Sequence, residues 1–168
     1  IGQDIDGETA GDHSGISVSM SSDGSRVAIG AIYNDGNGSN SGHVRVYDYD
    51  GSLWVPVGQD IDGETTHDNS GQSVSMSSDG TRVAIGAYNN DDNGSGSGHA
   101  RVYDYDGSIW VPVGQDIGGE AAADYSGWSV SLSSDGSRVA IGARFNDDNG
   151  SSSGHARVYD YDGSLWVP

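Results

Sequence analysis

Asp4, Asp6, Glu8 and Asp12 set four carboxylates at relative positions 1, 3, 5 and 9 of one short stretch. Oxygen donors alternating in this way suit a calcium loop, since Ca2+ gathers about six to eight hard oxygens from a compact turn. The stretch returns as Asp60, Asp62, Glu64 and Asp68, and a third time as Asp116, Glu120 and Asp124, with Gly118 in the second place. The glycine stands one place before the third donor instead of one after it. Loop acids that are only solvated, or that cap turns, have the same composition. These are the candidate metal ligands, and calcium is the one cofactor the sequence suggests.

Three further sets have chemistry to offer. Asn37, Asn93 and Asn149 each open an Asn-Gly-Ser triplet inside a polar loop such as NDGNGSNSG (Asn34–Gly42). That triplet is an N-glycosylation acceptor, and Asn-Gly is equally a turn signal. His43, His99 and His155 each stand two residues before an arginine, Arg45, Arg101 and Arg157. On a strand this spacing puts both side chains on one face, shared with Tyr47 or its copies, where they could bind acids or sugars or pair structurally. Trp54, Trp110 and Trp166, with Tyr47, Tyr49 and their copies, suit sugar stacking or packing, and packing is the preferred reading. Trp128 occupies a place held elsewhere by Ile16 and Gln72, which points to an exposed position.

No set suits catalysis. Any Ser/His/Asp constellation would occur three times, and the variable positions 9–11, 13, 16, 32, 33 and their copies fall in loops without converging chemistry. Fixed frame and changing loops suit binding or surface diversity.

The residues that would position these groups repeat every 56 places, so that Trp54, Trp110 and Trp166 align, and 15 of the 56 positions vary among the copies. Repeats of this length signal a stacked or propeller architecture. The units are read as 1–56, 57–112 and 113–168. The phrase WVPVGQDI spans both internal boundaries, while the last residues supply its first half and the first residues its second half. Each end is therefore expected to be met by another copy of the repeat, either in a second molecule or in a longer chain of which this is a segment. The net charge of −18, from 25 acids and 7 Lys+Arg, repels nucleic acid and anionic lipid. There is no cysteine and hence no disulfide framework. No signal peptide is visible, and no apolar run nears the ~18 residues of a membrane span, so no membrane insertion is expected.

Within the second repeat, Ser73–Ser77 alternates with the period of a half-buried strand. Asp79-Gly80 is a hairpin signal, and Arg82–Ala87 and His99–Tyr105 carry β-branched and aromatic types. Ile109–Gly114 is a fourth strand, placed outermost because Pro112 lacks an N–H. Gln115–Ser126 is read as the crossing to the next repeat. No ten-residue window has a helical period. Four short antiparallel strands per repeat predict an all-β fold of propeller-type blades, packed through residues such as Val83, Ile85, Val102 and Trp110. A twelve-stranded sandwich is the alternative, and its strands would have no reason to repeat so closely.

Gly71-Gln72-Ser73-Val74, Ala84-Ile85-Gly86-Ala87 and Gly98-His99-Ala100-Arg101-Val102-Tyr103, with their copies, resemble the FG-GAP repeat of integrin α-subunit propellers. They are also similar to tandem repeats in large secreted proteins of aquatic bacteria and algae. The resemblance implies a β-propeller. It also implies a calcium loop between the first two strands of a blade, but that connection is here only Ser21–Ser25 and its copies, too short for a cation cage.

The sequence thus predicts a non-enzymatic extracellular structural or adhesive protein. It would assemble blade to blade with other copies of itself into a ring or fibre, its outer loops carrying acids and glycans. The alternatives are a calcium- or carbohydrate-binding, lectin-like propeller module and a designed symmetric scaffold.

Overall fold

The computed structural model describes residues 1–168, which contain strands and turns and no helix. The strands of the first repeat are β1 (Ser14–Met20), β2 (Arg26–Ala31), β3 (His43–Tyr49) and β4 (Trp54–Pro56), followed by the short β5 (Ile61–Asp62). The second repeat gives β6 (Ser70–Met76), β7 (Arg82–Ala87), β8 (His99–Tyr105), β9 (Trp110–Pro112) and the short β10 (Ile117–Gly118). The third gives β11 (Ser126–Leu132), β12 (Arg138–Ala143), β13 (His155–Tyr161) and β14 (Trp166–Val167).

Each repeat forms its own antiparallel sheet, with its four main strands side by side in chain order. The three sheets are blades rather than halves of one sandwich. β1, β6 and β11 lie next to one another, and parallel bridges join Gly42 to Ser70 and Gly98 to Ser126.

Local chemistry explains the hairpins. In the turn between β1 and β2, the Asp23 carboxylate accepts hydrogen bonds from Ser25 N at 3.0 Å, Ser25 Oγ at 2.8 Å and Ser21 Oγ at 2.7 Å. The backbone bond to Ser25 and the two hydroxyls hold its pKa at about 2. All three bonds converge on the one oxygen Oδ1, so the carboxylate closes the turn on itself. Pro56 and Pro112 lie on the sheet edge, where the missing N–H is harmless.

The crossing segments are more than links. Ile61 and Asp62 pair with Val44 and His43, and Ile117 and Gly118 pair with Ala100 and His99. Each crossing therefore adds a short fifth strand to the sheet it leaves, beyond the fourth strand on the same edge of β3 or β8. Sheet boundaries are thus offset from the sequence units, and the third sheet has no such fifth strand.

The core sits between blades. Ala28, Val44 and Val46 of the first blade pack against Val74, Met76, Val83, Ile85, Tyr103 and Trp110 of the second. The same arrangement joins Ala84, Ala100 and Val102 to Leu132, Val139, Ile141, Tyr159 and Trp166. A blade has two apolar faces, and stacking covers both. Backbones approach so closely here that only glycine fits. A Cβ on Gly30 or Gly86 would run into the carbonyl of Gly71 or Gly127 on the neighbouring blade. Gly71 itself sits at φ 88° in a bulge between Ser70 and Ser73.

Candidate functional site at the seams between repeats

Each seam is a ladder of polar contacts that occurs twice. Ser17 Oγ donates to the Gly71 carbonyl at 2.7 Å, and Ser73 Oγ to that of Gly127 at 2.9 Å. Met76 N donates to Ser19 Oγ, and Leu132 N to Ser75 Oγ, both at 2.9 Å. Ser22 N donates to the Ser78 carbonyl, and Ser78 N to that of Ser134.

The arginines opening β2 and β7 complete the pattern. Arg26 grips Asp48 through Nε at 2.6 Å and Nη2 at 2.7 Å, which raises its pKa further. Its Nη1 reaches the Gly80 carbonyl of the next blade at 3.0 Å, and its guanidinium lies 5.0 Å over the Tyr105 ring. Arg82 does the same with Asp104, Gly136 and Tyr161. The guanidinium is a planar fork that can satisfy a carboxylate and stack at the same time.

At the outer end of each seam, the crossing segment meets the start of the third strand. Glu64, from the segment entering the second blade, reaches β8 there. Its Oε1 is 3.3 Å from Arg101 Nη1, and its Oε2 is 3.9 Å from His99 Nδ1. Asp116, from the segment leaving the blade, accepts a hydrogen bond from Arg101 Nε at 3.0 Å. Arg101 in turn lies 5.3 Å over Tyr103, whose hydroxyl burial pushes up to about 12. Burial also raises the Glu64 pKa and lowers that of His99. The His-Arg-Tyr face expected from the spacing is therefore real, and acids already occupy it.

The candidate ligands divide. Glu64 and Asp116 converge with His99, and Glu8 and Asp60 converge with His43, although they lie far apart in sequence. Glu120 joins His155 with Asp148. Asp12, Asp68 and Asp124 are buried and are engaged by other partners. Their carboxylates accept from Asn34, Asn90 and Asn146 and from the backbone at Thr9, Thr65 and Ala121. Asp4 and Asp6 are exposed, at the first blade's open side. Asp62 lies in β5, and its pKa is raised by burial. A polar cleft of about 320 Å³ at the first seam is lined by residues that include Glu8, Asp35, His43, Asp60 and Asp62.

The glycosylation candidates also have structural contacts. Asn37 Nδ2 donates to the carbonyls of Gly63 and Glu64, each at 2.9 Å, and Asn93 Nδ2 to that of Gly119 at 3.1 Å. Asn37 and Asn93 thus staple the long loop of a blade to its crossing segment. Asn149 is exposed.

The variable loops do converge, contrary to their reading from sequence. Tyr88, Tyr125, Trp128 and Phe145 form an edge-to-face cluster with centroids 5.0–6.4 Å apart. Arg144 lies 4.6 Å over Trp128. Trp128 is half-buried rather than exposed, because Tyr88 and Phe145 cover it. Nothing in the pairwise sequence comparison signals this cluster, since each aromatic varies from copy to copy.

The family described as FG-GAP repeat matches three times, over residues 5–47, 61–103 and 118–159. The chain belongs to the FG-GAP repeat family. Each match begins in or beside a crossing segment and runs into a third strand, so it takes in Glu8, Glu64 or Glu120 with the His-Arg-Tyr face, while Asp60 and Asp116 fall just outside. No curated protein sequence matches. Among solved structures, a chain titled Kuenenia stuttgartiensis hydrazine synthase is similar over 96% of this chain, with a TM-score of 0.54 and 15% identity. The FG-GAP chain spans 38% of that chain, and the likeness is one of fold.

Proposed function

We propose that this FG-GAP chain is a non-enzymatic structural or adhesive module that works outside the cell and docks blade to blade with further copies of itself. One observation supports the reading above others: its two outer blade faces are the two halves of a seam that the molecule already contains twice. Val18 and Met20 are 63% and 53% exposed, while their copies Val74 and Met76 are 9% and 7% exposed. On the far side Val158 is 49% exposed, whereas Val46 and Val102 are each at 2%. Apolar faces left open in this way mark interaction surfaces.

The polar groups select the occupant. By the register of the inner seams, Met20 N of a second copy would donate to Ser131 Oγ, and Ser129 Oγ would donate to that copy's Gly15 carbonyl. Arg138 holds Asp160 with Nε and Nη2, as Arg26 and Arg82 hold their partners. Its Nη1 would take the Gly24 carbonyl of the second copy. Ile5 and Asp6 of that copy would add the fifth strand that the third sheet lacks, opposite Ala156 and His155. Two copies would give six blades, and open addition a fibre. The extracellular part of the reading is supported by the resemblance of the repeat and by the Asn-Gly-Ser loops. The charge of −18 argues against nucleic-acid partners.

Sedimentation velocity over a range of protein and salt concentrations tests the docking. The 17.3 kDa chain is expected to associate as concentration rises, and more readily in salt that screens its charge. Gly142→Ala is the control, because in one chain its Cβ meets only Ser129. In a docked pair it would meet the carbonyl of Gly15 from the second copy. The variant should fold and fail to associate. A wild-type chain that stays monomeric throughout, or a variant that associates equally well, contradicts the reading.

A second reading, ligand binding, is favoured by the aromatic cluster beneath Arg144. A stacked sugar would quench Trp128 fluorescence, and Trp128→Ala would abolish the response. No response to a panel of neutral and acidic sugars would rule it out.

A further inference from the structure

The cluster around His99 has a feature that the seam contacts do not explain. The His99 side chain is 4% exposed, and its Nδ1 is buried with no hydrogen-bond partner. Glu64 Oε2, the carboxylate oxygen facing it, is 3.9 Å away, beyond hydrogen-bond reach. A buried ring nitrogen left without a partner is costly and calls for an explanation. Around it, one oxygen each from Glu64, Asp92 and Asp116 lies within 4.8 Å of the ring nitrogen and of the others. Three carboxylates against the single guanidinium of Arg101 leave the cluster two charges negative. Arg101 faces Glu64 Oε1, so Oε2 remains turned toward the imidazole.

We propose that Glu64, Asp92, His99 and Asp116 form a binding site for one divalent transition-metal cation of the zinc class. The donor set decides the class. One imidazole with three carboxylates suits zinc and its neighbours, whereas calcium takes about six to eight oxygens and seldom a nitrogen. Tetrahedral zinc with bonds of about 2.0 Å needs donors about 3.3 Å apart, so the side chains close by roughly an ångström on binding. An imidazole nitrogen with no hydrogen-bond partner is the kind of donor such an ion takes, through the lone pair of the neutral ring. Bound there, the ion ties together the segment entering the second blade, its long loop, the start of β8 and the segment leaving it.

The other repeats grade the site. The first has Glu8, His43 and Asp60 but Gly36 where Asp92 stands. The third has Glu120, Asp148 and His155 and lacks the counterpart of Asp116, a place Asp4 of a docked copy would fill. Only the second repeat holds all four donors in one chain, so this site is independent of association.

Chelator-treated protein is titrated with zinc chloride and, separately, calcium chloride by calorimetry at a concentration where the chain is monomeric. The expected result is one tight zinc equivalent per chain, at least tenfold tighter than any calcium binding, and a melting temperature raised by zinc. His99→Gln should abolish the tight site, and His43→Gln should leave it intact. Asp92→Gly, which copies Gly36 of the first repeat and so keeps the loop foldable, should weaken zinc at least tenfold. No saturable zinc binding, calcium bound as tightly as zinc, or an affinity unchanged in both His99→Gln and Asp92→Gly overturns the proposal.

Discussion

Val102 and Val158 are the same residue of the same strand in adjacent repeats, and the structure gives them opposite surroundings. Val102 is 2% exposed in the second seam, and Val158 is 49% exposed on the outer face. Val102→Ala removes two buried carbon groups, worth about 0.8 kcal/mol each in transfer, and leaves a cavity on a packed face. The total is about 2–3 kcal/mol. Val158→Ala removes the same atoms from a half-wet site with nothing above it, a loss of about 0.6 kcal/mol. For a chain of this length 1 kcal/mol moves the melting temperature by about 2–4 °C. Circular dichroism melting at low protein concentration should therefore show a drop of about 4–12 °C for Val102→Ala and about 1–3 °C for Val158→Ala. At association the order reverses. Docking buries Val158 as deeply as Val102, so Val158→Ala should weaken it by about 1.5–2 kcal/mol, roughly 10–30-fold. Equal melting losses for the two variants, or association untouched by Val158→Ala, would refute the claim that the outer face is an open seam.

Asn93→Ala removes the loop staple to the Gly119 carbonyl and should cost about 1 kcal/mol in thermal melting, while Asn149→Ala should cost nothing measurable in the monomer. Arg82→Met frees Asp104 and uncovers Tyr161, so it should lower the melting temperature, and Arg138→Met, on an arginine 60% exposed, should leave the monomer unchanged. Acid stability follows from the turns. Asp23 and Asp135 sit at about 2 against an ordinary 3.8, so between these values the folded chain binds fewer protons than the unfolded one. Their contribution is present above about pH 4 and is lost as pH falls toward 2. Asp62 and Glu64, raised by burial, act in the opposite sense. NMR titration of the Asp23 carboxyl carbon should give a midpoint near 2, and one near 3.8 would contradict the turn chemistry.

The blade was legible because its signals are local. Alternation at Ser73–Ser77, Asp-Gly at the turn and Pro112 on the edge each act within a few residues. The fifth strand was not, since Ile61–Asp62 is two residues long and its identity depends on pairing with His43 and Val44. The carboxylates were visible as a linear row, but the fold splits that row. Asp68 turns inward to Asn90, while Glu64 meets His99 from 35 positions away, a convergence that only the crossing geometry creates. The aromatic cluster was hidden for the reverse reason. Tyr88, Tyr125 and Phe145 in loops and Trp128 at the start of β11 occupy variable positions, and variation at each place conceals their shared location.

The docking register can be read amide by amide. Hydrogen exchange resolved by NMR should be followed at Gly7, Ser14, Met20 and Ser134 as protein concentration rises. Their copies Gly63, Ser70, Met76 and Ser78 donate across an inner seam. The account predicts that the four end amides exchange freely in dilute solution and gain protection together, approaching that of their copies. Association that leaves these amides unprotected, or protects a different surface, would contradict it.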